Sequence, residues 1–144
     1  RKTMRRIKTG VLSLLTAMTL LGTASVSTVA VAMEWPDEKA CGEAVKSGDK
    51  IIKGWCTAIS RRAGNCLGCH QAMVSPWPEK LAPGGNIGPP LVAMKARFPN
   101  REDLRAQIWD PTARNPNTSM PPFGKHGLLS EEQIDSIVDW LMTI

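Results

Sequence analysis

An all-α fold of short helices joined by long Pro- and Gly-rich loops is predicted for this 144-residue chain. Three observations predict it. Ser130-Glu131-Glu132-Gln133 is a capping box, and Ile134, Ile137, Val138, Leu141 and Met142 follow it at helical spacing. Residues 74–90 hold five prolines and three glycines, a density that forbids a long helix. No stretch of any length alternates apolar and polar residues as a half-buried strand does.

The elements follow in chain order. Asp37 to Ile59 carries helical signals, with a break or cap at Gly48-Asp49; Lys50-Ile51-Ile52-Lys53 and Ala58-Ile59 can lie on one helix. Leu91 to Arg97 has room for one or two turns before Pro99. Asn100 is a good N-cap for a helix from Arg101 to Asp110, with Glu102 and Asp103 in its first turn and Pro111 at its end. Residues 111–127 return to Pro- and Gly-rich loop, and the capped helix from Glu131 closes the chain.

Residues 1–9 contain five bases and no acid, Val11 to Leu21 is mostly apolar, and small residues lead to Ala30-Val31-Ala32. This is the pattern of a secretory signal peptide over residues 1–32, cleaved after about Ala32. The apolar run is short for a membrane span, which needs roughly 20 residues. An uncleaved anchor is the competing reading. The domain proper is then 33–144, with 33–63 as an N-terminal extension and first helix, and the mature protein is periplasmic. The first 32 residues carry five of the 18 bases and none of the 13 acids, so the remainder is neutral overall. The positive balance of the whole chain therefore gives no support for nucleic-acid binding. A domain this small, with five Trp, two Phe and no Tyr, makes a thin core.

A large flat cofactor would fill such a core, and Cys66-Leu67-Gly68-Cys69-His70 supplies its attachment. Two thiols at this spacing add to the two vinyl groups of one haem, and the adjacent His reaches the iron. One covalent haem c is expected on Cys66 and Cys69, with His70 as an axial ligand. A redox disulfide lacks the βαβ context it needs. A zinc site drawing in Cys41 and Cys56 is the other alternative.

For the opposite axial position the chain offers Met33, Met73, Met94, Met120, Met142 and His126. Met73 is too near His70 in sequence to reach the far face. Met94 and Met142 sit in helical stretches and are expected in the core. Met120 stands in Asn117-Thr118-Ser119-Met120-Pro121-Pro122-Phe123, a Pro-stiffened loop able to hold a thioether at a fixed point. Met120 is the expected ligand and His126 its rival. A His/Met pair raises the reduction potential. An axial His ordinarily donates its second ring nitrogen to an acceptor, and the Pro89 carbonyl in Ile87-Gly88-Pro89-Pro90-Leu91 is the candidate. Cys41 and Cys56 are left over, an even pair suited to a disulfide in an oxidising compartment; free thiols are the alternative. Trp77 and Phe123 flank the haem loops, with a partner-facing position and core packing both open. No acid–base pair or nucleophile stands beside the haem motif, so no catalytic residue is assigned.

Gly64-Asn65-Cys66-Leu67-Gly68-Cys69-His70, Gly85-Asn86-Ile87-Gly88-Pro89-Pro90-Leu91 and the run from Asn115 through Met120-Pro121-Pro122-Phe123-Gly124-Lys125-His126 resemble the SoxX cytochrome subunit. The resemblance extends over about residues 47–144 and includes Leu129-Ser130-Glu131-Glu132-Gln133-Ile134 and Asp139-Trp140-Leu141. It implies a class I cytochrome c fold and a heterodimer with a SoxA-like cytochrome. That complex joins thiosulfate oxidatively to a cysteine of the SoxYZ carrier protein. The SoxX-like chain would be its electron-accepting, non-catalytic subunit, passing electrons to a soluble cytochrome. Carried onto this chain, the resemblance makes His70 and Met120 the iron ligands. A free monomeric class I cytochrome c is the other reading.

Overall fold

The computed structural model describes residues 34–144. The export segment expected over residues 1–32, and Met33, lie outside the described residues. Among those described, every regular element is a helix and no strand forms. The only pairing of extended backbone among them is a lone parallel bridge between Ala72 and Leu91.

A short helix α1 (Cys41–Ala44) runs on into a 3-10 turn, Val45–Ser47. The helix expected from Asp37 begins four residues late. The Asp37 carboxylate accepts from the Ala40 N–H at 2.8 Å, which makes a turn of residues 37–40. Helix α2 (Lys50–Ile59) starts at Asp49, whose side chain accepts from the N–H groups of Ile51 and Ile52. Its buried face carries Trp55, Cys56, Ala58 and Ile59.

Helix α3 spans only Met94–Arg97. Leu91 is unavailable to it: its N–H donates to Gln71 and its carbonyl accepts from Met73, and Ala93 then turns left-handed with φ 48°. Helix α4 (Arg101–Trp109) is capped by Asn100 as expected, and ends one residue early because Asp110 leaves helical geometry to cap the 3-10 turn Pro111–Ala113. Helix α5 (Glu131–Leu141) opens with both hydrogen bonds of the capping box, Gln133 N–H to Ser130 and Ser130 N–H to Gln133.

Crossing of α2 over α5 forms the centre of the core. Gly54 permits it, since a Cβ there would overlap the Ser136 carbonyl. Trp55, fully buried, has Trp140 at 5.3 Å, Trp35 at 5.4 Å and Trp77 at 6.1 Å between ring centroids. Its indole donates to the Pro36 carbonyl, which ties the N-terminal segment onto α2. A disulfide between Cys41 and Cys56 makes a second tie. On the other flank Arg101 pairs with Asp139, and Arg105 with Asp135 and Glu131, fixing the angle of α4 against α5.

Candidate haem site

Helix α2 delivers the C-L-G-C-H motif. After Ile59 the chain turns back, with Gly64 donating to the Thr57 carbonyl and Asn65 taking a left-handed φ of 47°. Cys66–Gly68 then forms a 3-10 turn, and the His70 N–H donates to the Cys66 carbonyl at 2.9 Å. This coiling turns Cys66, Cys69 and His70 toward a common cavity.

Residues 85–91 clasp the motif from outside. Gly85 donates to Leu67 and Gly88 to Cys69, both at 2.8 Å. The Pro89 carbonyl accepts from His70 Nδ1 at 2.6 Å. Because a carbonyl can only accept, that bond places the proton on Nδ1 and leaves the Nε2 lone pair free for a metal. The backbone passes so close to the ring that a Cβ on Gly88 would collide with it.

Met120 lines the same cavity. Two adjoining recesses of about 280 and 570 Å³ share Cys66, His70, Pro89, Gln107, Met120 and Phe123. The inner one is walled by apolar side chains, including Leu91, Met94, Leu104, Ile108, Leu129 and Ile137. Such a slot is suited to a large flat apolar group with a metal at its centre. The loop carrying Met120 is anchored to the end of α4. Gly124 and Lys125 both donate to the Trp109 carbonyl at 3.1 Å, and Lys125 Nζ bonds Asp110 at 2.8 Å. That lysine and the Thr112 hydroxyl hold the Asp110 carboxyl below the usual carboxylate range.

Of the remaining candidates, Met73, Met142 and His126 stay out of the cavity wall and only Met94 reaches it. Met73 is exposed, Met142 packs half-buried against the core, and His126 is exposed with no place in the cavity wall. Met94 is buried and lines the cavity from the α3 side. Cys41 and Cys56 are bonded to each other, so a four-thiolate zinc set is not available. No group of three or more His, Cys, Asp or Glu side chains that could hold a metal ion exists among the described residues. Burial pushes the Cys66 thiol up to about 12, and neighbouring Cys69 adds to the rise. Of the two aromatics flanking the haem loops, Phe123 is buried in the cavity wall, while Trp77 packs on Trp55 away from the cavity.

Three polar groups at the cavity carry no motif that marks them in the sequence. Gln107 projects from α4 toward Met120, with Nε2 at 4.0 Å from Sδ. Arg97 donates to the Pro90 carbonyl at 2.7 Å at the cavity margin. Trp140 Nε1 is buried there without a hydrogen-bond partner. Only Gln107 leaves a trace in the sequence, as a polar residue between Leu104 and Ile108 on the inward side of α4.

Residues 43–141 match the family model described as "Cytochrome C oxidase, cbb3-type, subunit III". The chain belongs to that cytochrome c family. The fold is accordingly the all-α, class I cytochrome c type, holding covalent haem c and serving electron transfer. Over 80 residues the chain is also 32% identical to an uncharacterized lipoprotein of Aquifex aeolicus (strain VF5), a stretch that makes up 56% of this chain and 36% of the relative. The chain thus spans little more than a third of that protein's length.

Proposed function

We propose that this chain is a monohaem electron-transfer protein in which Cys66 and Cys69 carry the thioether links and His70 and Met120 are the axial ligands. The observation that carries the reading is the placing of a free imidazole nitrogen and a thioether on one apolar cavity, each held by its own loop. When bound, haem supplies a one-electron Fe(III)/Fe(II) couple. The residues do the rest. Pro89 keeps the His70 ring in one orientation and one tautomer. Leu104, Ile108 and Ile137 exclude water from the inner wall, which favours the less charged ferrous state. With His70 and Met120 both engaged by the iron, no position would remain there for substrate, and the site would serve electron transfer.

Within this class, the M-P-P-F-G-K-H segment favours a SoxX-like role. The chain would be the electron-accepting subunit beside a SoxA-like cytochrome, in a complex that conjugates thiosulfate to the SoxYZ carrier and hands electrons to a soluble cytochrome. The family match favours a second reading, a cytochrome c domain feeding a terminal oxidase. Both require an extracytoplasmic setting. The cytochrome c domain and the lipoprotein relative support it, and among the described residues no helix is long and apolar enough to cross a membrane.

Pull-down of the tagged protein from its own cells separates the two. Recovery of a second, larger c-type cytochrome supports the first reading; recovery of oxidase subunits without it discards that reading in favour of the second. The ligand assignment has its own test. Met120→Ala should abolish the weak near-infrared Met–iron charge-transfer band and lower the potential. Persistence of the band would remove Met120 from the iron.

A further inference from the structure

The described residues contain one side-chain donor directed at the Met120 sulfur. We propose that Gln107 is a positioning residue for the redox centre: its carboxamide N–H bonds Met120 Sδ and raises the reduction potential. The inference rests on Met120 being an axial ligand.

Both partners are held by the same piece of chain. Gln107 lies two residues before Trp109, whose carbonyl accepts from Gly124 and Lys125 at the far end of the Met120 loop. Asp110, the next residue, takes the Lys125 ammonium. Met120 itself is steadied from within its loop, its N–H donating to the Thr118 hydroxyl at 3.1 Å. The junction of α4 with the loop therefore sets the backbone positions from which Gln107 and Met120 meet, and α4 is in turn pinned to α5 through Arg101 and Arg105. Gln107 also borders both recesses of the cavity, in a wall that is otherwise mostly apolar.

A thioether sulfur is a weak acceptor with two lone pairs. If one lone pair serves the metal, the other is available to an N–H. A hydrogen bond there draws electron density from the sulfur and makes it a poorer donor. Ferric iron needs that donation more than ferrous iron does, so the bond disfavours the oxidised state and the potential rises.

The sign of the effect separates this role from a structural or solvating one. Replacing the amide by an apolar side chain makes the cavity less polar, which alone disfavours the ferric charge and raises the potential. Loss of a hydrogen bond to sulfur lowers it. The test is a redox titration of the haem-loaded protein carrying Gln107→Leu, with Gln107→Ala as a second, smaller variant in case the first folds poorly. A fall in midpoint potential, with a shifted but present near-infrared band, is expected. An unchanged or raised potential with the band intact overturns the role of Gln107 while leaving Met120 ligation standing. A wild-type protein without the band overturns the ligation itself, and the role of Gln107 with it.

Discussion

His70 is held more tightly than its position next to Cys69 requires. One bond from Nδ1 to Pro89 sets the ring's tautomer, and the bare backbone of Gly88 sets how near the clasping loop can come. Gly88→Ala should therefore displace the ring or push the loop away, an overpacking cost of roughly 1–3 kcal/mol. The expected outcome is a lower yield of haem-loaded protein and an earlier thermal transition; equal yield and stability would show that the loop yields freely. Covalent spacing and a stiffened loop single out Cys66, Cys69, His70 and Met120 in the amino-acid sequence itself, and all four border one cavity. The Pro89 carbonyl is legible too, through the adjacent Gly88. Arg97 is not, because its role depends on reaching the Pro90 carbonyl, and Gln107 shows only as a polar residue on the inward side of α4. Neither leaves a motif.

At the scale of elements, the loop bearing Met120 is tied to the end of α4 as well as stiffened by its own prolines. Its charged link is Lys125 to Asp110. Asp110 has a depressed pKa, so the stabilisation it contributes is complete above the ordinary carboxylate range and is lost as pH falls through the lowered value. Lys125→Met removes the chief cause of the depression, and Asp110 should then protonate at a higher pH. Acid titration followed by the near-infrared Met–iron band should show the band failing at higher pH in the variant than in the wild type; coincident curves would mean that the link does not hold the loop. Local signals locate α2, α4 and α5 well, since each starts at a residue whose side chain caps it: Asp49, Asn100 and Ser130. They fail at the start of α1 and in the segment before α3. There Asp37 closes a turn instead of a helix, and Leu91 gives its backbone to Gln71 and Met73, a non-local pairing that no local pattern announces.

For the molecule as a whole, the tryptophan cluster and the disulfide fasten the N-terminal segment to α2, the helix that leads into the haem motif. The cross-link closes a loop of 15 residues, worth about 3 kcal/mol in the chain-entropy model. The double variant Cys41→Ser, Cys56→Ser should lose about that much stability in urea denaturation, with its haem spectrum unaltered. An unchanged midpoint would mean that Trp35 and Trp55 alone fasten the segment. The same bond also bears on how the protein is assembled. Four cysteines can be joined in three ways, and two of those would consume Cys66 and Cys69 in separate bridges. The third joins Cys41 to Cys56 and leaves Cys66 and Cys69 to each other. Haem can be attached only while Cys66 and Cys69 are both free thiols, the state in which they stand here. The Cys41–Cys56 link removes both wrong partners from competition, so once it has formed the choice left to the haem thiols is between each other and the porphyrin.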